Sequence, residues 1–286
     1  MVKSGLSTAP ELSFSRSDIE RRLSLPAGRF TNAGVVLAPL LAVALTLASY
    51  GALAAVPEHW LAEMFTQRGP MPYLIVFLGY WSLALLWVKS RKVKLQLRAL
   101  DLRLLPEGDP GFSLTPATAE VVLERLFQLV DDPEAFLLTR RILHALSNLK
   151  NMRRIGDVAE VLRTQGEYDE AAVDSSYTLL RGFIWTLPVL GFIGTVMGLS
   201  LALGSFGGVL KSASEMAELR GALQEVTGGL ATAFETTLQG LVATVLVHML
   251  MIVVRRREEF FLDSCQEYCQ KHLVARLRLD SDGPRE

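Results

Sequence analysis

The sequence predicts an all-α polytopic membrane protein with four transmembrane helices, of which the last two extend into a cytoplasmic helical bundle. Half of the 286 residues are hydrophobic even before the 22 glycines are counted, and only 21% are charged. Soluble domains usually have about 45–50% apolar residues with glycine included. The apolar residues also fall into four windows, each long enough for the roughly 20 residues that a helix needs to cross a bilayer. Four such windows in one short chain argue against buried helices of a soluble protein.

The bounds of the predicted elements follow from these windows. The predicted transmembrane helices 1 to 4 are 32–56, 70–88, 182–210 and 226–254. Three polar segments remain, which are 1–31, 89–181 and 255–286. The segment 89–181 is predicted to form a helical domain, because Thr115-Pro116 is a helix-start signal and Asp132-Pro133 starts another helix. From Val158 to Tyr177 the sequence predicts a helix that leads into the third span, and the tail is predicted to continue the fourth span as a helix.

The distribution of basic residues predicts the orientation. Six Lys or Arg residues follow the second span between Lys89 and Arg103, and Arg255-Arg256-Arg257 directly follows the fourth span. The loop after the first span has Arg68 as its single basic residue. Because short cytoplasmic loops carry an excess of Lys and Arg, both termini and the segment 89–181 are expected in the cytoplasm. The loops 57–68 and 211–225 are then expected on the outer side.

Several classes of function find no support in the sequence. The charges nearly cancel, with 29 basic and 30 acidic residues, so nothing points to a nucleic-acid partner. The four histidines lie in different segments, and Cys265 and Cys269 have no companion ligand nearby, so no metal site is expected. The glycine-rich stretch at 204–208 lacks the Lys-Ser/Thr of a phosphate-binding loop. We therefore expect a protein that is not an enzyme and that has no catalytic residues and no cofactor.

The third span carries a stripe of small residues. Gly191, Gly194, Thr195 and Gly198 lie at positions i, i+3, i+4 and i+7, which places them on one helix face, and Pro188 just before them is a candidate kink. Small residues allow helices to approach closely in a membrane, so the stripe is expected to make close helix contacts in a ring. Thr195 adds a hydroxyl, which makes the lining of a polar path a second interpretation of this stripe.

The fourth span has polar residues on two different faces. Thr237, Gly240 and Thr244 share one face, whereas Glu235 and Gln239 lie almost opposite. The two faces cannot both line one narrow pore, and the sequence leaves open which of them meets neighbouring helices. A carboxylate costs about 2.5–3.5 kcal/mol at the centre of a membrane helix, so Glu235 is a candidate intramembrane acid or lies near an interface.

These two spans resemble the MotA/TolQ/ExbB proton channel family. The stretch from Pro188 to Gly198, PVLGFIGTVMG, is similar to the proline–glycine–glycine-threonine-valine helix of that family. The stretch from Ala233 to Ala243, AFETTLQGLVA, is similar to the companion helix. The resemblance covers about residues 181–254. Four spans with a long loop after the second resemble the MotA branch, whereas the glycine-threonine-valine motif resembles the ExbB and TolQ branch.

The resemblance implies a homopentamer in the bacterial inner membrane that surrounds the single membrane helices of MotB/ExbD/TolR-like partners. The partner's membrane aspartate carries protons, and the proton flow drives mechanical work in the envelope. The same resemblance implies pore-lining roles for Thr195, Thr237 and Thr244. It implies helix packing for five further residues, Pro188, Gly191, Gly194, Gly198 and Gly240. Threonine does not titrate, so these hydroxyls are expected to hydrogen-bond the carboxylate or water rather than carry protons.

Other interpretations of the sequence stay open. The glycine stripe is also compatible with a membrane scaffold that conducts no ions and uses the stripe for packing alone. A secondary transporter has less support, because the sequence shows no inverted repeat. The ion is expected to be the proton, with sodium as the alternative. The sequence leaves the partner subunit and the driven process open. The candidate processes are flagellar rotation, outer-membrane transport, envelope maintenance, gliding and defence.

Overall fold

The computed structural model describes residues 12–56, 58–102, 113–149, 152, 154–212 and 216–278, and in these ranges it is helical with no strand. This confirms the predicted all-α class. The α-helices in these ranges, in chain order, are α1 (Phe14–Ser17), α2 (Ile19–Arg22), α3 (Leu37–Ala54), α4 (Trp60–Thr66), α5 (Met71–Leu97), α6 (Pro116–Leu129), α7 (Leu137–Ser147), α8 (Ile155–Ser176), α9 (Thr178–Ser212) and α10 (Met216–Tyr268). In the sequence, Gly108, Pro110 and Gly111 predict a turn, and this stretch lies outside the described residues, as do the two ends of the chain.

The chain divides into two compact units. The first, here called the membrane unit, comprises Val36–Trp87 and Tyr177–Val253. The second, here called the polar unit, comprises the described residues up to Val35, the described part of Val88–Ser176, and those from Val254 onward. Apart from a few residues at their ends, the segments that the sequence predicts to cross the bilayer lie in the membrane unit, and the polar unit contains most of the residues predicted to lie in the cytoplasm.

Four helical stretches are long and apolar enough to cross a membrane, in agreement with the predicted number. They are Leu37–Ala54, Met71–Leu97, Ile155–Gly204 and Arg220–Arg276. Between 17% and 39% of the most apolar window in each stretch is buried within the chain. Most of the apolar side chains in these windows therefore face outward, where hydrocarbon is the solvent that suits them.

The helix ends differ from the bounds predicted from the apolar windows. The first membrane helix, α3, begins at Leu37 instead of residue 32, because the chain before it is held in a loop. In that loop the Gly34 amide donates a hydrogen bond of 2.6 Å to Glu20 Oε1. Helix α5 continues to Leu97, well past residue 88. Helix α10 begins at Met216, so most of the predicted loop 211–225 is helical. The Glu, Arg and Gln residues of this stretch make it polar, but they have good helix propensity and therefore do not end the helix.

The polar unit is built on α6, α7 and α8 together with the ends of α5 and α10. Thr115 caps α6 in a reciprocal pair with Thr118, and Pro116 stands at the first turn, as the sequence predicts. The helix predicted from Asp132-Pro133 is wrong at its start. Pro133–Ala135 is a short 3₁₀ turn, Phe136 is extended, and α7 begins only at Leu137. The predicted helical tail is confirmed to Tyr268, after which Cys269–Leu273 forms a π-helical turn.

Buried ion pairs hold the polar unit together. Lys92 donates to Glu20 Oε2 at 2.5 Å and also to the carbonyl oxygens of Gly28 and Asn32. Lys89 and Glu258 pair at 3.3 Å, and both side chains are buried. Removing one partner of such a pair leaves an uncompensated buried charge, which typically costs about 3–5 kcal/mol. The N-terminal segment is therefore fixed firmly on α5.

Candidate functional site

The glycine stripe of α9 packs directly on the backbone of α10 within the membrane unit. Gly191, Gly194 and Gly198 are all buried. A Cβ atom added to Gly194 would lie 2.3 Å from Thr236 Oγ1, and one added to Gly198 would lie 2.5 Å from the carbonyl oxygen of Gly229. Neither space can hold a methyl group. Within one chain the stripe packs on small residues of the fourth span, and the expected contacts in a ring stay a prediction.

Helix α10 presents a matching row of small residues. A Cβ atom on Gly240 would lie 2.7 Å from the carbonyl oxygen of Leu187, and one on Gly229 would lie 2.6 Å from that of Gly198. Ala233 and Thr236 lie between these two glycines and are also buried. The sequence interpretation missed Gly229, Ala233 and Thr236. Their recurrence at helical spacing with Gly240 was the signal that could have identified them.

The structure brings the hydroxyl groups of Thr195 and Thr237 together. The two Oγ1 atoms are within hydrogen-bonding distance of each other, and both side chains are half-buried. Each Oγ1 also lies 3.0 Å from the carbonyl oxygen of Ala233. The Thr237 hydroxyl is 3.2 Å from the carbonyl oxygen of Gly191 as well. The two hydroxyls thus form one polar cluster at the contact between α9 and α10.

The hydroxyl protons and oxygen lone pairs of this cluster determine which groups it can hydrogen-bond. Two hydroxyl groups carry two protons and four lone pairs. One proton can join the two oxygens and the other can go to the Ala233 carbonyl, which leaves lone pairs free to accept a hydrogen bond. When a hydroxyl rotates it can instead donate to an anion. The cluster can therefore solvate both a protonated and an ionised carboxyl group without titrating itself.

Two other predicted site residues stand apart from this cluster. The Thr244 hydroxyl donates to the carbonyl oxygen of Gly240 at 2.7 Å, and Thr244 lies seven residues beyond Thr237, about 10 Å along the helix. Pro188 lies inside α9, which continues as a helix on both sides of it. Its ring nitrogen has no proton, so the usual helical hydrogen bond to the Ile184 carbonyl is missing there.

Glu235 points away from the hydroxyl cluster and is paired with Arg68. Arg68 Nε donates to Glu235 Oε2 at 2.7 Å, and Arg68 Nη2 donates to Oε1 at 3.2 Å. One turn further along, Gln239 Nε2 donates to the carbonyl oxygen of Met64 in α4 at 2.9 Å. The structure thus decides the question that the sequence left open. The face of Glu235 and Gln239 meets α4 and the loop after it, and the face of Thr237 meets α9.

Arg68 is a further residue that the sequence interpretation did not assign to the site. The signal was available, because Arg68 is the single basic residue of the loop 57–68 and Glu235 is the single charged residue of the span 226–254. A lone carboxylate in an apolar span is expected to pair with a basic residue near the end of that span. Their two-pronged geometry is the strong arrangement of an arginine with a carboxylate.

Cys265 and Cys269 lie in the polar unit and are both buried thiols. Burial raises the pKa of each thiol well above its ordinary value, although nearby Arg141 acts in the opposite direction. Within the described ranges, no group of three or more His, Cys, Asp or Glu side chains is arranged to hold a metal ion.

Comparison with models of protein families gives a match to the part of the chain that contains the site. Residues 132–266 match the family model of the MotA/TolQ/ExbB proton channel family, which confirms the resemblance noted in the sequence. The match begins in the polar unit, spans α9 and most of α10, and includes the hydroxyl cluster. Searches of curated proteins and of solved structures found no match to the chain.

Proposed function

We propose, on the premise that residues 132–266 belong to the MotA/TolQ/ExbB proton channel family, that this protein is the channel subunit of a proton-driven motor. In this proposal a single-span partner of the MotB/ExbD/TolR type supplies a membrane aspartate. Proton flow past that aspartate across the inner membrane is coupled to mechanical work in the envelope. The protein is a channel subunit and not an enzyme.

The observation that carries the proposal is the cluster of Thr195 and Thr237. A carboxylate that gains and loses a proton inside a membrane needs hydrogen-bond partners in both states, since an unsolvated charge there is very costly. Two hydroxyls that touch each other and share a backbone acceptor provide such partners. In the proposal the cluster donates to the ionised aspartate and accepts from the protonated acid.

The packing around the cluster supports this role. Gly191 and Gly194 allow α9 and α10 to approach until the two hydroxyls meet. A Cβ atom on Gly194 would lie 2.3 Å from Thr236 Oγ1, and one on Gly191 would be in tight contact with the Thr236 carbonyl oxygen at 3.0 Å. The direct contact of the two backbones fixes the hydroxyls at one depth. A solvating group that is held in place loses little entropy when the carboxylate arrives, which is the advantage of a preorganised site.

The proposal is tested with Thr195→Val and Thr237→Val. Valine keeps the shape but removes the hydroxyl, so the aspartate loses a hydrogen bond worth about 1.5–3 kcal/mol. We expect assembly with the partner to persist, while proton flux in proteoliposomes falls at least tenfold. Serine at either position is expected to restore much of the flux. The assay needs a single-span partner with a membrane aspartate, and the first place to search for its gene is the reading frames adjacent to this one.

Thr46→Val is the matched control. Among the described residues, the Thr46 hydroxyl bonds only to the Ala42 carbonyl of its own helix, at 2.7 Å, and α3 lies outside the hydroxyl cluster. This variant is expected to conduct normally. Normal flux in both Thr195→Val and Thr237→Val would contradict the channel proposal and favour the alternative, a membrane scaffold that conducts no ions.

We further propose that five copies assemble around the partner helices, the number being that of the family. The glycine stripe is occupied within each chain, so contacts between copies must use other surfaces of the membrane unit. Large apolar side chains are exposed on α9 and α10, among them Phe192, Leu203, Phe234 and Val245. Native mass spectrometry of detergent-solubilised protein is expected to show a pentamer. A monomer or dimer as the single stable species would refute this assembly.

A further inference from the structure

A second feature of the membrane unit lies on the side of α10 away from the hydroxyl cluster. An apolar groove of about 330 Å³ runs between α5 and α10, with α4 at one end. Residues at helical spacing on both helices line it, namely Ile75, Gly79 and Leu83 of α5 and Gln239, Ala243 and Val247 of α10. Eight residues separate Ile75 from Leu83, so the groove is about 12 Å long.

The groove is open in its middle because of Gly79. A Cβ atom added to Gly79 would meet no other atom within 4 Å, in contrast to the crowded glycines of α9. The absent side chain therefore leaves space without providing a packing contact. The volume is at the lower end of the range that small-molecule sites occupy.

One end of the groove carries an unpartnered polar atom. Gln239 is 5% exposed and lines the groove beside Met64 of α4. Its Nε2 donates to the Met64 carbonyl, which fixes the orientation of the amide. Its Oε1 is buried and accepts no hydrogen bond from any described residue. A buried amide oxygen without a donor is costly, so a ligand that donates a hydrogen bond is favoured at this end of the groove.

The charges near this end restrict the ligand further. Glu235 lies one helical turn before Gln239, and its partner Arg68 also contacts Glu63 at 3.4 Å. Two carboxylates and one guanidinium give this group a net charge of −1. An anionic headgroup is disfavoured there, whereas a headgroup with an ammonium is favoured.

We propose that the groove binds a phospholipid with an ammonium headgroup, namely phosphatidylethanolamine. One acyl chain lies along the apolar groove past Gly79, and the ammonium donates a hydrogen bond to Gln239 Oε1. This assignment accounts for the polar end, the apolar body and the net charge together. It is independent of whether the protein conducts protons.

The experiment uses purified full-length protein and two lipids with identical dioleoyl chains, phosphatidylethanolamine and phosphatidylcholine. Phosphatidylcholine has three methyl groups on nitrogen and cannot donate. Native mass spectrometry counts the lipid molecules that each chain retains. One hydrogen bond predicts a preference for phosphatidylethanolamine of roughly two- to tenfold. Equal retention of both lipids by the wild-type protein would overturn the proposal.

Two variants locate the lipid. Gly79→Leu fills the groove and is expected to reduce retention of phosphatidylethanolamine to the background level. Gln239→Leu removes the acceptor and is expected to abolish the preference between the two lipids. Gly51→Leu is the matched control, because Gly51 is equally uncrowded but lies outside the groove, and it is expected to behave as the wild type.

The remaining outcomes are also decisive. Unchanged lipid retention in Gly79→Leu would overturn the proposal. If the wild type retains neither lipid and Gly79→Leu shifts the assembly to fewer copies, a second copy of this chain occupies the groove and the proposal is wrong. The comparison of the two lipids on the wild-type protein stands even if a variant fails to fold.

Discussion

At the scale of single residues, the two polar faces of the fourth span make different contacts. Thr237 faces α9 and joins the hydroxyl of Thr195, whereas Glu235 faces Arg68. The pair of Glu235 and Arg68 fixes the loop after α4 on α10. From this geometry we infer a structural role for the Glu235 carboxylate, which makes no contact with the hydroxyl cluster among the described residues.

This assignment predicts unequal effects of two substitutions. Glu235→Gln keeps an oxygen that can accept from Arg68, so we expect a loss of stability of about 1 kcal/mol and nearly normal proton flux. Arg68→Met leaves Glu235 without its cation, and we expect a larger loss, about 1–3 kcal/mol. Thermal unfolding in detergent measures the stability, and proteoliposomes measure the flux.

The exchange of both charges provides the control for this pair. The double variant Arg68→Glu/Glu235→Arg is expected to recover part of the stability that each single reversal loses, because the ion pair can form again. A loss of flux in Glu235→Gln as large as the loss of the partner's aspartate would show instead that Glu235 relays protons.

At the scale of elements, the contact of α9 with α10 is the feature on which the site depends. The two helices approach through glycines on both sides, and atoms of the two backbones come into direct contact near Gly198 and Gly229. The same approach places Thr195 beside Thr237. Any side chain that separates the helices is therefore expected to affect stability and conduction together.

Gly198→Ala tests this dependence. The added methyl would lie 2.5 Å from the Gly229 carbonyl oxygen, a backbone atom that cannot rotate away. Overpacking of this kind typically costs about 1–3 kcal/mol. Gly204→Ala on the same helix is the matched control, because its Cβ would meet no atom within 4 Å. We expect a lower thermal midpoint and reduced flux in Gly198→Ala alone, and equal behaviour of the two variants would contradict the assigned packing.

At the scale of the whole molecule, the chain separates into an apolar and a polar unit. The membrane unit exposes large apolar side chains that suit a lipid surrounding, whereas the polar unit buries its own ion pairs, such as that of Lys92 with Glu20. The distribution of basic residues predicts that the polar unit lies in the cytoplasm.

Single cysteines can test this orientation, since the two native thiols are buried. Gln67→Cys and Lys94→Cys replace exposed residues in the outer loop and the polar unit. In cells with a permeabilised outer membrane, a thiol reagent that does not cross the inner membrane is expected to label position 67 alone. Labelling at position 94 without labelling at position 67 would reverse the assigned topology.

The sequence by itself determined the fold class, the number of spans and the resemblance to the family whose model matches residues 132–266. These properties follow from the length of the apolar windows and from local motifs, which do not depend on contacts between distant residues. The pairing of Thr195 with Thr237 could also be predicted from the sequence. The third and fourth spans cross the membrane in opposite directions, and counting residues along each of them places the two threonines at similar depths. The N-terminal ends of α3 and α10 could not be predicted from the sequence. Glu20 holds the loop before α3 through a long-range hydrogen bond, and the polar residues before the fourth span continue α10 as a helix.

Only the tertiary structure decided which surfaces meet. Periodicity places Glu235 and Thr237 on different faces of α10, but it does not specify the neighbour of either face. That neighbour is set by long-range contacts, Arg68 for Glu235 and the glycine stripe of α9 for Thr237. The groove beside Gly79 was equally inaccessible, because a missing side chain becomes a space only when two helices are packed at a definite distance.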